Sequence, residues 1–244
     1  MSDIFFNSRK LPKGKNEYVA FLDIMGTKAH MTHSVHETAN YIFKLHAAVL
    51  SAWRSEKYKG VFVYPVMDGA YITASSKLDM EKLLVRIYDS LAGVFIKELD
   101  DNKKFVIQAG LAYGRTIHGH NIPYSASKVF ELELSYKNYI LLGPAMIEAY
   151  ECGAHASPFG INVAESAQKN NDENARQYGA FPDCWKWFKT EAIKLKVDKS
   201  LLATNLEYYF NIFKSTNHPL HYDVNKIDNH IQLLKDYFEV EVTP

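Results

Sequence analysis

The chain has 244 residues, 47% of them hydrophobic and 14% aromatic, which is enough for a sizeable core in one large domain. Its 28 Lys and Arg residues cancel its 28 Asp and Glu residues, so no overall field would draw it to nucleic acid or to an anionic membrane. Two cysteines without metal-type spacing, a polar N-terminus and no apolar run of about 20 residues predict a reduced, cytoplasmic protein without a membrane span.

The first part of the chain predicts a ferredoxin-like order of elements. The predicted elements are a strand at 18–24, a helix at 35–53, a hairpin of strands at 61–66 and 70–75, a helix at 78–99 and a strand at 104–114. This order, βαββαβ, is typical of an α+β fold with an antiparallel sheet and its helices on one face.

The second part of the chain is less regular. The pattern predicts a Gly-rich turn at 114–120, a short strand at 138–142, a helix opened by Gly143-Pro144, a polar loop or lid at 165–179, helical patches at 184–196 and 200–213, and a last helix with a strand at 223–242. We therefore expect a mobile arm at 1–17, a catalytic domain at 18–159, and a C-terminal α/β extension at 160–244 packed on the same domain.

Two carboxylates should meet in this layout. Asp23 ends the first strand, and Asp68 lies at the hairpin tip, where Asp-Gly alone favours an ordinary turn. Because the first strand and the hairpin are predicted neighbours, the two side chains should converge, and adjacent carboxylates are normally held together by a cation. Mg²⁺ fits best, since it takes oxygen ligands and is commonly bound by one or two carboxylates with substrate phosphates.

The segment after Asp23 favours phosphate binding. In DIMGTK, Gly26 allows close approach, and Thr27 and Lys28 lie where free backbone N–H groups form a local anion seat. Lys28 is equally compatible with a solvated surface lysine. A chain without net charge can bind a triphosphate here because the binding groups are local.

The chain resembles the catalytic domain of class III nucleotide cyclases. The matching stretches, in the family's order, are FLDIMGTK (21–28), VMDGAY (66–71), IQAGLAYGRTIHG (107–119) and YILLGPAMIEAYECGA (139–154). Asp23 and Asp68 stand 45 residues apart, a spacing typical of the family's two metal aspartates.

The resemblance implies an enzyme with two Mg²⁺ or Mn²⁺ ions held by Asp23, Asp68 and the backbone carbonyl of Ile24. The ribose 3′-oxygen of a nucleoside triphosphate would attack the α-phosphate in line and release pyrophosphate. Arg115, in GRTIHG, matches an arginine that the family uses on the triphosphate, although a surface arginine after a turn would look the same. The resemblance also implies a homodimer with active sites at the interface.

The purine-reading positions of the family hold Tyr64 and Ile140 here, and its transition-state Asn and Arg would fall on Ile147 and Glu151. With these departures the chain resembles the short bacterial pyrimidine cyclases of the Pycsar anti-phage systems, which have a tyrosine at the position of Tyr64. The resemblance implies a uridylate cyclase that makes cyclic UMP, with cyclic CMP as the less favoured product, in anti-phage defence. Tyr64 would either contact the base or pack half-buried in its strand.

Two alternatives stay open. The chain could be a cyclase-like dimer that has lost catalysis and binds a nucleotide as a sensor, or a purine cyclase with a rearranged base pocket. Retention of Asp23 and Asp68 favours an enzyme, because a sensor would not need two metal ions.

Other motifs have simpler interpretations. His30, His33 and His36 stand three apart, without the Cys or carboxylate partner that zinc spacing requires. His118 and His120 are interpreted as turn residues beside the proposed phosphate arginine. The sequence contains neither a P-loop signature nor a GGDEF stretch, which argues against those nucleotide-binding classes.

Overall fold

The computed structural model describes residues 6–168, 180–183, 185–215 and 224–240. In chain order the strands and helices are β1 (Lys15–Ile24), α1 (Thr27–His33), α2 (Val35–Arg54), β2 (Val61–Val66), β3 (Gly69–Ala74), α3 (Lys77–Lys97), β4 (Ile107–His118), α4 (Lys128–Leu132), α5 (Leu134–Asn138), β5 (Leu141–Leu142), α6 (Pro144–Gly153), β6 (Ile161–Val163), α7 (Glu165–Gln168), α8 (Lys199–Ser215) and α9 (Val224–Phe238). Short 3-10 turns occupy Ser8–Lys10, Asp101–Lys103, Gly119–Asn121 and Trp187–Lys189.

The sheet has the strand order β2-β3-β1-β4-β5, and these neighbours pair antiparallel. β6 joins the same sheet by pairing in parallel with β4. The order of β1, α2, β2, β3, α3 and β4 along the chain, with β1 central beside β3 and β4, is the ferredoxin-like arrangement. The predicted α+β fold class is confirmed.

Local signals start the two long helices where the sequence predicts them. The Ser34 hydroxyl accepts a hydrogen bond from the Glu37 backbone N–H at the start of α2, and Ser76 does the same for Asp79 at the start of α3. Buried side chains of both helices join one apolar core with alternate residues of β1, such as Ala20. We call the sheet face that carries Ala20 the helix-covered face.

The opposite sheet face carries Val19 and Phe21 of β1, and α6 covers part of it through Ala145 and Ala149. We call it the α6 face. α6 lies so close to β4 that a Cβ at Gly110 would overlap the carbonyl oxygen of Ala149. The small residues at this crossing therefore set how near α6 comes to the sheet.

Residues beyond 160 complete the core on the helix-covered face. Trp187, Phe210 and Phe238 are fully buried in the same apolar cluster as α2 and α3. The Trp187 indole N–H donates to the Phe159 carbonyl at 2.9 Å. The Asp89 carboxylate of α3 accepts backbone N–H bonds at 2.9 and 3.0 Å from the segment before α8. This part of the chain is thus tied to α3 by polar as well as apolar contacts.

Two strands extend beyond their predicted ends. β1 begins at Lys15, inside the predicted arm, and β4 continues to His118, through the predicted turn at 114–120. The two extensions have one cause, because Lys15 pairs with Thr116 across the ladder. The predicted turn is therefore wrong over 114–118, and the chain turns at the 3-10 segment Gly119–Asn121.

Other predicted elements differ in the second half. The strand at 138–142 is reduced to Leu141–Leu142, because α5 extends to Asn138. The helical patch at 184–196 is wrong in the described residues, where only the turn Trp187–Lys189 is helical. Of the predicted lid, 165–168 form α7 and 169–179 lie outside the described residues, as do positions 241–242 of the predicted last strand. Within the described ranges, no helix is both long and apolar enough to cross a bilayer.

Candidate active site

The hairpin between β2 and β3 presents Asp68. Val66 pairs with Gly69, so Met67 and Asp68 are the two turn residues and Gly69 already belongs to β3. Met67 takes the left-handed conformation with φ of +41°, and a ring nitrogen of His46 lies 3.2 Å from its carbonyl oxygen. The predicted Asp-Gly turn is therefore shifted by one residue.

Gly69 serves close packing instead of the turn. A Cβ at this position would overlap the Leu22 carbonyl oxygen and lie 3.1 Å from the Phe21 ring. Because Gly69 is the direct cross-strand partner of Asp23, its lack of a side chain brings the hairpin tip against the end of β1. The glycine thus helps to place Asp68 beside Asp23.

Asp23 and Asp68 are brought together as predicted, and their charges are not compensated. Burial, followed by the charge of Asp68, raises the pKa of Asp23 to about 6. The only side chain that donates to Asp23 in the described part of the chain is the Gln108 amide, at 3.4 Å. Among the described residues, neither aspartate forms an ion pair with a basic side chain. Two converging carboxylates without a counter-charge form a donor set that suits a divalent cation.

The other predicted metal and phosphate groups lie directly after Asp23. Gly26 directly precedes α1. Its φ of +79° is a left-handed backbone conformation, which favours glycine. Thr27 is buried, and its hydroxyl donates to the Ile24 carbonyl at 2.9 Å, so that oxygen has one remaining lone pair. Lys28 is exposed. Across the described residues, no group of three or more His, Cys, Asp or Glu side chains could hold a metal ion. A cation at this site would therefore have Asp23 and Asp68 as its charged ligands, without a third.

Arg115 is not brought to the aspartates of its own chain. It is exposed on β4, seven residues beyond Gln108, the direct partner of Asp23. Seven residues of strand span about 23 Å, and an odd separation directs a side chain to the opposite face of a sheet. Within one chain, Arg115 therefore lies far from the carboxylate pair and on the helix-covered face.

Tyr64 is buried in a polar network on the α6 face. Its hydroxyl lies 2.5 Å from Nδ1 of His118, whose Nε2 hydrogen-bonds to a carboxylate oxygen of Glu17. Thr116 donates to the same Glu17 oxygen, and Lys15 pairs with the other at 2.7 Å. Burial, followed by the charge of Glu17, raises the pKa of Tyr64. The interpretation of His118 as a turn residue is wrong, since it ends β4 and is fully buried.

Sequence reasoning missed Glu17 and the role of His118. Glu17 is a fully buried carboxylate that precedes the apolar run at 18–24. It stands two residues before Val19 and four before Phe21, so its position in the period-2 pattern of β1 places it on the α6 face. That pattern could have located Glu17, but its partner could not be found without the true length of β4.

Tyr64 is one of the residues that line a cavity of about 520 Å³ at the edge strand β2. The residues that line it include Trp53, Phe62, Tyr64, His120, Asn138 and Tyr139. An apolar cavity with a few polar groups is the usual form of a small-molecule site. On α6, the exposed residues Ile147 and Glu151 carry no side-chain N–H donor.

No protein-family model matches the sequence, and no curated protein matches it. Among solved structures, the chain is similar to the monomeric guanylyl cyclase domain of the RhoGC fusion protein from the aquatic fungus Blastocladiella emersonii, in an E497/C566D double mutant, with 14% identity and a TM-score of 0.47 over 64% of this chain and 84% of that one. It is also similar to the guanylate cyclase domain of RhGC from Catenaria anguillulae in complex with GTP, with 14% identity and a TM-score of 0.46 over 64% and 81%.

A third similar structure is an EAL/GGDEF domain protein from M. capsulatus, with 15% identity and a TM-score of 0.39 over 64% of this chain and 88% of that one. Identities and scores this low assign no reaction to the chain. The fold and the site described above stand on the chain's own residues.

The raised pKa of Asp23 predicts a pH-dependent penalty on folding. Between pH 4 and about 6 the folded protein retains a proton that the unfolded chain releases, so stability falls as pH rises through this window. We expect Asp23→Asn to raise the melting temperature more at pH 7.5 than at pH 4.5, in the absence of divalent ions. Mn²⁺ should stabilise the wild type at pH 7.5 and not the variant. A Mn²⁺ stabilisation that survives in the variant would show that Asp23 is not a ligand of the ion.

Proposed function

We propose that the chain is a pyrimidine nucleotide cyclase, which converts UTP in preference to CTP into the 3′,5′-cyclic monophosphate and pyrophosphate. The observation that carries the proposal is the pair of converging, uncompensated carboxylates, Asp23 and Asp68, beside the glycine-opened start of α1. Two such carboxylates suit a divalent cation, which can in turn bind the phosphate oxygens of a triphosphate. The preference for a pyrimidine and a role in anti-phage signalling in the cytoplasm rest on the sequence resemblance.

In the proposed reaction the ribose 3′-hydroxyl loses its proton to solvent water, a bond forms between O3′ and the α-phosphorus, and the bond from the α-phosphorus to the leaving pyrophosphate breaks. Bound Mg²⁺ or Mn²⁺ would polarise the 3′-hydroxyl and offset phosphate charge. Asp23, Asp68 and the free lone pair of the Ile24 carbonyl would hold the ions. Gly26, Thr27 and Lys28 would face the phosphates with their backbone N–H groups and the exposed ammonium.

The position of Tyr64 fits a base site in the same protomer. Tyr64 and Asp23 lie on the same sheet face, two strands apart and two residues apart in register. Strand geometry puts their Cα atoms roughly 12 Å apart. A nucleoside triphosphate that places its phosphates at the aspartates can therefore reach Tyr64 with its base.

A homodimer would account for Arg115 and for an apolar surface. Exposed apolar and aromatic side chains cluster in one stretch of sequence, namely Tyr124, Val129, Leu132, Leu134, Tyr136 and Tyr139. Exposed apolar area of this kind commonly marks an association surface. In a two-fold dimer Arg115 could serve the active site of the partner, which its distance from Asp23 in its own chain does not allow.

A nucleotide-binding dimer without activity is the second candidate. The absence of donor side chains at Ile147 and Glu151 favours it, because the transition-state charge then lacks its usual partners. Purified protein with each of the four ribonucleoside triphosphates and Mn²⁺, followed by chromatography, separates the candidates. Cyclic UMP, with or without cyclic CMP, is the expected result. Tight binding without product would support the sensor, and cyclic AMP or cyclic GMP would support a purine cyclase.

A further inference from the structure

We propose that His118 and Glu17 are positioning residues that capture the hydroxyl hydrogen of Tyr64, so that the Tyr64 oxygen can only accept a hydrogen bond and a bound base must offer it an N–H donor. The inference deepens the proposed function and rests on it. Its basis is the buried chain of contacts from Glu17 through His118 to Tyr64.

The direction of the hydrogen bonds is set at Glu17. Burial acts to raise the pKa of this carboxyl, but hydrogen bonds from His118, Lys15 and Thr116 outweigh burial and hold the pKa below its usual value. Glu17 is therefore a carboxylate and can only accept. It follows that Nε2 of His118 carries a hydrogen and donates it to Glu17.

A positive charge on the imidazole of His118 would be poorly compensated in these surroundings. Its side chain has no exposed surface, and Lys15 already supplies one positive charge to Glu17, so a second cation here would be buried without compensation. The other rings that face it are Phe62 and His120, with centroids 5.1 and 4.9 Å away, and neither supplies a negative charge. A neutral imidazole with its hydrogen on Nε2 must accept at Nδ1.

The contact of 2.5 Å between the Tyr64 hydroxyl and Nδ1 is then a bond donated by Tyr64. Its only hydrogen is used, and the oxygen retains lone pairs alone. Tyr64 lines the cavity at the edge of β2, and a group of a bound base that reaches this oxygen must be a donor. Uracil offers N3–H and cytosine offers its amino group. Purines also carry donors, so the network selects the polarity of the base edge and not its size.

The first test requires no nucleotide. ¹⁵N NMR of the histidine side chains, with His118 assigned by substitution, should show a hydrogen on Nε2 and an unprotonated Nδ1 at pH 7.5. Tyr64→Phe should shift the Nδ1 resonance of His118, because it removes the donor. A hydrogen on Nδ1 would overturn the inference, whatever the protein does to nucleotides.

The second test compares UTP with pyrimidin-2-one ribonucleoside triphosphate, which lacks both N3–H and the amino group and is no larger. The wild type should prefer UTP by at least about tenfold, the worth of one buried hydrogen bond, and mainly through KM. In Tyr64→Phe the preference should fall to about twofold. Tyr88→Phe is the matched control, since Tyr88 is also buried and donates to the Gly160 carbonyl at 2.9 Å on the helix-covered side. It should lower stability and retain the preference.

An unchanged preference in Tyr64→Phe, or an equal loss in Tyr88→Phe, would overturn the inference. If the protein forms no cyclic nucleotide, the cyclase proposal fails, and the same ratio measured as dissociation constants with Mn²⁺ decides the inference by itself. If neither triphosphate binds, both fail.

Discussion

Asp68→Ala should lower the rate of cyclic nucleotide formation at least about 100-fold, because a metal ligand contributes several kcal/mol to the transition state. The fold should survive, since Asp68 is a half-buried turn residue without an ion pair among the described residues. Removing this charge also removes one cause of the raised pKa of Asp23, which should fall towards its ordinary value. Initial rates with UTP and Mn²⁺, together with the melting temperature, measure the effects on turnover and fold.

Asp228→Ala is the matched control for this variant. Asp228 is an exposed aspartate of α9 paired with Lys214, remote in sequence from the hairpin, and its removal should leave the rate unchanged. Wild-type turnover by the Asp68→Ala variant would show that Asp68 holds no catalytic ion. The assignment of the site to the ends of β1 and the hairpin would then be wrong.

Gly110→Ala should destabilise the fold by about 3 kcal/mol, the upper range for overpacking a core. The added Cβ would overlap the Ala149 carbonyl oxygen and lie 2.8 Å from the Gly153 Cα, so α6 must move away from β4. Both obstacles are backbone atoms, which cannot rotate aside as a side chain does. A melting temperature lower by about 6 to 12 °C is expected for a domain of this size.

Gly93→Ala makes the same chemical change, but it should leave the stability of the fold unchanged or raise it slightly. Gly93 lies within α3, where a new Cβ would be 3.6 Å from its nearest neighbour, a Val197 methyl group. There is room for it, and alanine in a helix is favoured over glycine by up to about 1 kcal/mol. If both variants lose stability equally, the close approach of α6 to β4 is not what Gly110 serves.

The helices and the hairpin were predictable because their signals are local. α2 and α3 were located to within two residues by apolar spacing, and each begins at a serine cap. The alternation of β2 and β3 around Asp68 predicted a hairpin, and Pro144 marked the start of α6. Such signals depend on residues only a few positions apart, which a sequence displays directly.

The predicted elements were wrong where contacts with residues distant in the sequence determine the local structure. β4 continues through GRTIHG because β1 pairs with it as far as Lys15 and Thr116, although the glycines alone favour a turn. The segment at 184–196 has helical spacing, but its described residues form only the turn Trp187–Lys189 and irregular backbone, and the backbone N–H groups of residues 196 and 197 bind Asp89. In both places long-range hydrogen bonds outweigh local propensity.

The sequence by itself determined that the chain forms an α+β domain with two aspartates at neighbouring strand ends, because periodicity and order along the chain suffice for that. Only the tertiary structure decided the surroundings of Tyr64. Glu17 and His118 are 101 residues apart, and they meet because β4 runs antiparallel to β1 as far as Thr116 and continues to His118 beside β5. Buried polar groups must find partners wherever the fold brings them, and that choice is made by the ladder register and not by any local pattern.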